Sequence, residues 1–294
     1  MSLLEGTLVR AIGGFYTVRD REKVEYVLRC KKKFRHIGMT PLPGDEVLFT
    51  PGSGEEHGWL EEILPRKTVF LRPPVANVEC LILVEAPEPE PDLLLADRLL
   101  SRVLSQGVNV ILVVNKADLD SQLGARLRAE YTPAGIPVLT VSARTGEGLT
   151  NLRAAMEGKL CCLAGQSGVG KSSLLNALMD LHLDTGALSL KIGRGKNTTR
   201  HVELLEKDRL RVMDTAGFSL LETEKNLAPE KLKERYPEFR SHEDRCKFHE
   251  CLHDREPGCA VAAAAMDGSI HPERLKRYRQ LLSELRETWQ ERYQ

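Results

Sequence analysis

The sequence predicts a multidomain α/β protein in three parts: an N-terminal OB-fold β-barrel at 1–68, a parallel sheet with helices on both faces at 69–222, and a Cys/His module with a C-terminal helix at 223–294. Short strands between polar or glycine turns fill the first part, and apolar runs alternate with amphipathic helices in the second. Cysteines and histidines cluster in the third part. A chain of 294 residues is long enough for more than one core.

The first part contains five predicted strands, GTLVRAIG, FYTVRD, VEYVLRC, GDEVLFT and GWLEEIL. So many strands in so short a segment predict a small closed barrel, with the OB fold favoured and an SH3-type barrel as the alternative. Residues 1–40 hold nine Lys/Arg against four Asp/Glu, with the run RCKKKFR at 29–35, although the whole chain has no net charge. This run is a candidate phosphate contact of an RNA-binding barrel, and the alternative is a strand edge protected by solvated lysines.

The second part alternates strands with helices. Segment 64–74 predicts a linker, because its proline pair disfavours helix. The apolar runs CLILVEA, NVILVVNK, PVLTVSA and KLCCLAG then alternate with helical stretches, and such runs predict a parallel sheet covered on both faces. A helix from Lys171 and the strands HVELLE and RLRVMD continue this sheet.

The segment GQSGVGKS at 165–172 matches the phosphate-loop pattern G-x-x-x-x-G-K-[ST] and stands between a predicted strand and a predicted helix. Backbone N–H groups of such a loop cradle the α- and β-phosphates, Lys171 reaches the β- and γ-phosphates, and the Ser172 hydroxyl ligates Mg²⁺. The residues assigned to nucleotide binding in this loop are Gly165, Ser167, Gly168, Val169, Gly170, Lys171, Ser172 and Ser173.

Two further strand ends predict that the base is guanine. In NKAD, Asp118 can accept paired hydrogen bonds from guanine N1 and N2, while Asn115 bonds the base edge and the stem of Lys116 packs over the ring. In VSAR, Ser142 and Ala143 end the next strand, where the Ala143 N–H can reach guanine O6. Ligands bind at the carboxyl ends of parallel strands, so the two motifs support each other.

The motif VMDTAG and the basic loop at 191–201 supply the remaining nucleotide contacts. Asp214 is placed to hold Mg²⁺ through water, and the Gly217 N–H to bond the γ-phosphate. A threonine of the basic loop, Thr198 or Thr199, can complete the Mg²⁺ shell when a γ-phosphate is present, as is typical of a switch. The alternative is a solvated basic loop.

The third part contains CKFHECLHDREPGC. Cys246, Cys251 and Cys259, with His253 or His249, are spaced closely enough to surround one tetrahedral ion. Three thiolates and one imidazole suit a closed structural Zn²⁺ site, and the alternative is a group of unrelated reduced residues. The odd total of seven cysteines is a poor disulfide framework.

These motifs resemble those of translation-factor-class GTPases, in the permuted order base, base, phosphate, switch I, switch II. That order, between a small barrel and a Cys/His module, is similar to the YjeQ/RsgA family of circularly permuted, ribosome-associated GTPases, and the resemblance covers essentially the whole chain. It implies a central permuted P-loop GTPase that hydrolyses GTP to GDP and phosphate, uses Mg²⁺ and carries one structural Zn²⁺. It also implies the small ribosomal subunit and its rRNA as partners, stimulation of hydrolysis by that subunit, and a role late in its maturation.

The resemblance selects His253 over His249 as the fourth zinc ligand. Thr199 is favoured as the Mg²⁺ ligand of switch I because it stands nearer the following strand, and it joins Ser172 and Asp214. The helix PERLKRYRQLLSELRETWQERY offers a candidate ribosome contact on one basic face, with a solvated face as the alternative. Its members are Arg274, Lys276, Arg277 and Arg279.

The predicted catalytic residues are Asn197, Thr199 and Lys171. In the family a histidine just before the paired threonines is the usual group that acts on water, and here that position is Asn197. Phe218 follows DTAG, where many GTPases have a water-orienting Gln. Asn can hydrogen-bond water but cannot take its proton, so the sequence predicts intact GTP binding and slow hydrolysis.

Two other functions fit parts of the pattern. One is a non-catalytic, GTP-dependent ribosome- or RNA-binding switch, in which Asn197 marks lost hydrolysis. The other is a small-molecule kinase that uses ATP, against which NKAD argues. The sequence has no membrane-spanning apolar run and no N-terminal signal pattern, so it predicts a cytoplasmic protein, and we expect a monomer.

Overall fold

The computed structural model describes residues 3–36, 38–52, 56–181, 202–215 and 227–291. Within them the chain forms a small barrel, a helix-covered sheet and a C-terminal module, in the predicted order. No helix in these ranges has both the length and the apolar character that crossing a membrane requires.

The N-terminal barrel has the strand order of an OB-like fold. Its elements are β1 (Leu4–Ile12), β2 (Phe15–Asp20), β3 (Glu25–Cys30), α1 (Lys32–His36), β4 (Glu46–Thr50) and β5 (Gly58–Ile63). The strands pair in the order β1-β2-β3-β5-β4, and β4 returns to β1, which closes the barrel. Strands β3 and β5 are parallel, and the other pairs are antiparallel. Inward-facing side chains such as Leu8, Leu28 and Phe49 fill the interior. The strand order, with β3 parallel to β5 and β4 closing on β1, confirms the OB prediction over SH3.

Segment 64–74 is not the predicted linker. Strand β6 (Val69–Leu71) pairs with β7 (Pro74–Ala76) in a short hairpin. Phe70 is fully buried in the core of the central sheet, so the hairpin packs as part of the fold. Proline at the first position of a strand removes no essential ladder bond, which is why Pro74 is tolerated there.

The central sheet positions the nucleotide motifs. Its elements are β8 (Cys80–Glu85), α2 (Leu93–Leu104), β9 (Asn109–Val114), α3 (Gln122–Tyr131), β10 (Val138–Thr140), α4 (Leu149–Met156), β11 (Leu160–Ala164), α5 (Lys171–Met179), β12 (Val202–Lys207) and β13 (Leu210–Thr215). The strand order is β10-β9-β8-β11-β13-β12, and the first five strands are parallel. Strand β12 is antiparallel to β13, because a tight turn at Asp208, with φ 53°, joins them directly.

The barrel and the central sheet share one continuous sheet. Strand β1 pairs antiparallel with β12 at Arg10 and Glu203. Beside this pair, Glu206 accepts hydrogen bonds from Arg19 Nη1 at 2.7 Å and from Lys23 Nζ at 2.9 Å. Burial by itself would raise the pKa of Glu206, but the hydrogen bonds from Lys23 and Arg19 have the larger effect, so the pKa of Glu206 is lowered. The junction is therefore both a strand pairing and an ionic contact.

The C-terminal module is built from short elements around a long helix. Three 3-10 turns (Pro229–Lys231, Lys233–Arg235, Pro237–Phe239) precede α6 (Arg240–Glu243), α7 (Ala260–Met266) and α8 (Pro272–Gln290). Tyr236, Phe239 and Tyr278 pack ring against ring, with centroids 4.9 to 5.1 Å apart. The module therefore has a small aromatic core of its own.

Helix α8 turns two of its arginines inward. Arg274 and Arg277 are only 2% and 8% exposed. The sequence alone predicts a ribosome-binding face or a solvated face for them, and both predictions are wrong for these two residues. Both guanidinium groups bind the carboxylate of Asp97 on α2, which is 1% exposed. Arg277 Nε donates to Asp97 Oδ2 at 2.6 Å, and the Tyr131 hydroxyl donates to Oδ1 at 2.8 Å.

Two further acids complete this buried network. Glu238 accepts a hydrogen bond from Arg274 Nε at 2.9 Å, and Glu130 accepts one from Arg277 Nη2 at 2.7 Å. The Arg274 guanidinium carbon lies 4.9 and 4.7 Å from the ring centroids of Tyr131 and Tyr236. Two cations thus meet three carboxylates between two rings, and the network joins the C-terminal module to the central domain.

We expect Arg274→Ala to lower the free energy of unfolding by about 3–5 kcal/mol, because it leaves the buried carboxylates of Asp97 and Glu238 without their shared cation. Urea unfolding would measure this change. Lys276→Ala on the same helix is the matched control, since its Nζ pairs with Glu273 at 3.1 Å at an exposed position. We expect that control to stay within about 0.5 kcal/mol of the parent. Equal effects of the two variants would contradict a stabilising role for the network.

Candidate functional site: a nucleotide pocket and a Cys/His centre

The phosphate loop at 165–170 joins β11 to α5 at the carboxyl edge of the sheet. Gly165 has φ 131°, and a Cβ there would lie 2.1 Å from the carbonyl oxygen of Val84. Gly170 has φ 92°, and a Cβ there would lie 2.5 Å from Asn115 Nδ2. Only glycine fits both positions, so the loop can pack closely against β8 and the NKAD segment.

Lys171 lies over this loop. Its Nζ donates hydrogen bonds to the carbonyl oxygens of Gly165 and Gln166, both at 2.7 Å. Burial lowers the pKa of Lys171 to about 8, and the nearby Glu85 carboxylate opposes that shift. An ammonium held by two carbonyls in a buried site is a ready partner for phosphate oxygens.

Glu85 is a residue of this site that the motif search did not single out. It ends β8, is 2% exposed, and its Oε2 has no hydrogen-bond partner among the described residues. Burial, joined by the charge of Asp92, raises the pKa of Glu85 to about 8. The sequence feature that could have identified Glu85 is its position as an acid at the end of the apolar run CLILVE.

Asn115 links two of the predicted motifs through one side chain. Its Nδ2 donates to the carbonyl oxygen of Val169 at 2.9 Å, and its Oδ1 accepts from the Ala143 N–H at 3.1 Å. The residue is 1% exposed, so these bonds are protected from water. The Ala143 N–H is predicted to donate to guanine O6. When a base binds, this N–H must either donate to both O6 and Asn115 Oδ1 or leave Asn115.

The Asp118 carboxylate is held on both of its oxygens. Ser142 Oγ donates to Oδ1 at 2.5 Å, and Arg144 Nη2 lies 2.5 Å from Oδ2. The Ser142 hydrogen bond, joined by the Arg144 charge, lowers the pKa of Asp118. Asp118 is therefore an ionised acceptor at neutral pH, as paired bonding to guanine requires. Arg144 is a second residue that the motif search missed, although it follows directly on Ala143.

Lys116 joins the NKAD segment to the rim of the phosphate loop. It has a left-handed backbone, with φ 59°, and its Nζ donates to the carbonyl oxygens of Glu88 at 2.6 Å and Gly168 at 2.9 Å. Non-glycine residues in this conformation cost backbone energy and tend to occur at functional sites. The extended stem of Lys116 therefore spans the gap between the two loops.

Two of the three predicted Mg²⁺ ligands, Ser172 and Asp214, are among the described residues, and both lie at the carboxyl edge of the sheet. Ser172 is in the first turn of α5, and Asp214 follows the register pair of Cys162 and Met213 on neighbouring strands β11 and β13. Both residues are half-buried. Ser167 and Ser173 are exposed. The predicted switch residues Asn197, Thr198, Thr199 and Gly217 lie outside the described residues.

A second cluster brings together Cys246, Cys251, His253 and Cys259. One ligand atom from each residue lies within 4.8 Å of all the others. His253 Nδ1 is 3.7 Å from Cys246 Sγ and 3.4 Å from Cys259 Sγ. Zinc–ligand bonds of about 2.0–2.3 Å in a tetrahedron require ligand separations of roughly 3.5–3.8 Å, so the donor set fits Zn²⁺.

This cluster combines backbone N–H donors to two of its sulfur atoms with a neutral imidazole, while burial raises the pKa of Cys251 and Cys259, so the bound ion itself would hold the thiolates. The backbone N–H groups of Ala260 and Ala262 donate to Cys246 Sγ and Cys259 Sγ, both at 3.3 Å. Burial lowers the pKa of His253 to about 4, which keeps the ring in its metal-binding form. His249 is exposed and stands outside the cluster, so the geometry supports His253.

Comparison with known proteins bears on the same residues. The family model described as RsgA GTPase matches residues 63–224, and that of the RsgA N-terminal domain matches residues 5–60. This chain belongs to the RsgA GTPase family. Membership in the RsgA family makes it a GTP hydrolase that uses GTP and Mg²⁺.

Curated RsgA relatives align with almost the full chain. A protein named small ribosomal subunit biogenesis GTPase RsgA from Ruminiclostridium cellulolyticum is 42% identical over 288 residues, which cover 96% of this chain and 94% of the relative. The protein of the same name from Moorella thermoacetica is 44% identical over 286 residues, with 96% and 97% covered. Among solved structures, YjeQ from Thermotoga maritima has a TM-score of 0.81 at 32% identity and covers 97% of this chain and 99% of its own.

A second solved structure, YloQ, is described as a circularly permuted GTPase. Its TM-score is 0.79 at 32% identity, with 97% of this chain and 96% of YloQ covered. The permuted motif order read from the sequence is therefore that of the RsgA fold, and the predicted fold class is confirmed.

We expect Cys251→Ser to remove stoichiometric zinc from the purified protein, because one of four ligands is replaced by a hydroxyl that binds this ion poorly. Elemental analysis of dialysed protein would measure the metal content. Cys30→Ser in the barrel is the matched control and should keep the parent's zinc. Equal zinc content in the two variants would rule out the cluster as the metal site.

Proposed function

We propose that this protein hydrolyses GTP to GDP and phosphate in the biogenesis of the small ribosomal subunit, and that binding to the subunit and its rRNA stimulates hydrolysis. The observation that carries the nucleotide assignment is the Asn115 side chain, which bonds both Val169 of the phosphate loop and Ala143 beside the base-reading carboxylate. The subunit is proposed from the relatives, which are named small ribosomal subunit biogenesis GTPases.

Guanine recognition is assigned to Asp118. Its ionised carboxylate accepts from guanine N1 and N2, which adenine does not offer. In the structure Arg144 pairs with Asp118 Oδ2. A bound guanine would therefore replace Arg144 at this oxygen. Ser142 stays on Oδ1 and orients the carboxylate.

Phosphate binding is assigned to the loop at 165–170 and Lys171. Lys171 moves its bonds from two carbonyls to the β- and γ-phosphates. Ser172, Asp214 and a switch threonine, Thr199 in our assignment, are the residues that would hold Mg²⁺. Bound there, the ion neutralises charge that develops on the phosphates.

Water activation is assigned to Asn197, which stands where the family's histidine is expected. An amide can orient water by a hydrogen bond but cannot accept its proton, so turnover should be slow while GTP binding is retained. If hydrolysis is lost altogether, the protein is the non-catalytic GTP-dependent switch that is the second candidate.

The flanking parts are proposed to hold the partner. We assign the barrel to 1–68, the GTPase domain to 69–222 and the zinc module to 223–294. The Cys/His centre offers a complete set of four protein ligands, which suits a structural rather than a catalytic zinc. Zinc would order a loop-rich region between α6 and α7 and so present its surface in one conformation.

Asp118→Asn should lower GTP affinity by roughly 10- to 100-fold and improve binding of xanthosine triphosphate. The amide can donate to the xanthine oxygen where the carboxylate accepted from guanine N2. Fluorescent-nucleotide titrations with GTP, ATP and xanthosine triphosphate would measure the affinities. Asp120→Asn is the control, because the Asp120 carboxylate lies two residues from Asp118 and accepts a local hydrogen bond from the Gln122 N–H at 2.7 Å. Unchanged GTP affinity in Asp118→Asn would refute guanine reading by Asp118.

Asn197→His should raise GTP turnover by roughly 10²-fold or more in the presence of small subunits, since it restores a group that can take a proton. Phosphate release with and without subunits would measure turnover. Asn151→His, on an exposed position of α4, controls for the added imidazole. Turnover by the parent as fast as by Asn197→His would show that the position does not limit hydrolysis.

A further inference from the structure

The outer face of the barrel carries a row of four side chains on adjacent strands. Ile12 of β1 pairs with Phe15 of β2, Phe15 pairs with Arg29 of β3, and Arg29 pairs with Trp59 of β5. Residues paired in this way project from the same face of a sheet. Three strand spacings make the row about 14 Å long.

The row is exposed although three of its members are apolar. Ile12, Phe15 and Trp59 are 44%, 38% and 44% exposed, and Arg29 is exposed between the two aromatic residues. Their neighbours along the strands, such as Leu28 and Leu60, point into the barrel core. Single exposed apolar residues are ordinary, but aligned aromatic residues at one surface point to a ligand.

The side chains in the row are already ordered around Phe15. The Arg29 guanidinium carbon lies 5.2 Å from the Phe15 ring centroid, at cation–π distance. The His57 ring packs edge-on against Phe15, with centroids 5.0 Å apart and planes at 65°. By strand register, Arg29 lies between Phe15 and Trp59, so its planar guanidinium belongs to the same row as their two rings.

The charge around the row favours an anionic ligand. Glu61 is the next residue on the same face of β5, and it is neutralised by Lys31 Nζ at 2.5 Å. The Lys31 hydrogen bond lowers the pKa of Glu61, so the pair persists at neutral pH. Beyond it, Lys32 and Lys33 are exposed on α1. The lysines therefore follow directly on β3, the strand that carries Arg29.

We propose that Phe15, Arg29 and Trp59 form a stacking site for consecutive unpaired bases of single-stranded RNA. Rings and a guanidinium plane stack on bases, while the neighbouring lysines bind the phosphates. Paired bases are enclosed within a duplex and cannot reach such a row, so the site selects unpaired RNA. The inference rests on the proposed RNA partner and assigns that partner's contact on the barrel.

Trp59 itself reports the interaction. The chain has two tryptophans, so Trp289→Phe leaves Trp59 as the single indole in the full-length protein. Titration with an unlabelled single-stranded oligoribonucleotide of about ten nucleotides should quench its fluorescence, because OB sites span several bases. A blunt RNA duplex of the same length should quench at least 10-fold more weakly. Equal responses to strand and duplex would overturn the proposal.

Phe15→Ala in this background should weaken binding roughly 5- to 100-fold, the range for loss of one stacked base. Val24→Ala, an exposed apolar position on the turn between β2 and β3, is the matched control and should leave affinity unchanged. Arg29→Ala should weaken binding and reduce its salt dependence, whereas Arg21→Ala should do neither. Equal loss in Phe15→Ala and Val24→Ala, or no quenching at all, would also overturn the site. Thermal melts of all variants would show that the barrel stays folded.

The proposed function can fail independently of this site. GTP turnover without RNA or subunits is measured on the same proteins, and Trp59→Ala should leave it unchanged. If the parent quenches with RNA but never hydrolyses GTP, the stacking site stands and the proposed function falls. If it hydrolyses GTP with subunits and Trp59 does not respond to RNA, the stacking site falls alone.

Discussion

The buried carboxylate of Asp97 is the interaction on which the arrangement of the protein depends. It binds two arginines of α8 and the Tyr131 hydroxyl, away from water. Removing charges from water is costly, so such a group is tolerated only where its partners are fixed. Helix α2, which carries Asp97, begins shortly after the Glu88 segment that Lys116 contacts. The C-terminal module is therefore docked on an element that also borders the nucleotide pocket.

The nucleotide and metal motifs were predictable because each depends on local sequence. GQSGVGKSS needs glycines where a Cβ would collide, as at Gly165, and the Cys/His group is nearly contiguous along the chain. Strand ends were also predictable, because parallel strands bring consecutive loops to one edge. That is why the contacts of Asn115 connect motifs far apart in sequence.

The features that sequence reasoning missed depend on partners from distant parts of the chain. Helical periodicity showed that Arg274 and Arg277 share a face of α8, but it could not show that this face packs against Asp97 of the central domain. Likewise, the proline pair at 73–74 predicted a break, whereas the burial of Phe70 made the segment a hairpin. Arg144 gained its role only when Asp118 came within reach.

The pairing of β1 with β12 has a consequence for the protein as a whole. An outermost strand normally leaves a row of unpaired backbone groups that can recruit another chain. Here one edge of β12 is taken by β13 and the other by the barrel, at Arg10 and Glu203. The barrel therefore acts as a cover for the GTPase sheet as well as a separate module. A chain that lost its N-terminal domain would expose this edge of β12, and an exposed strand edge can pair with another chain.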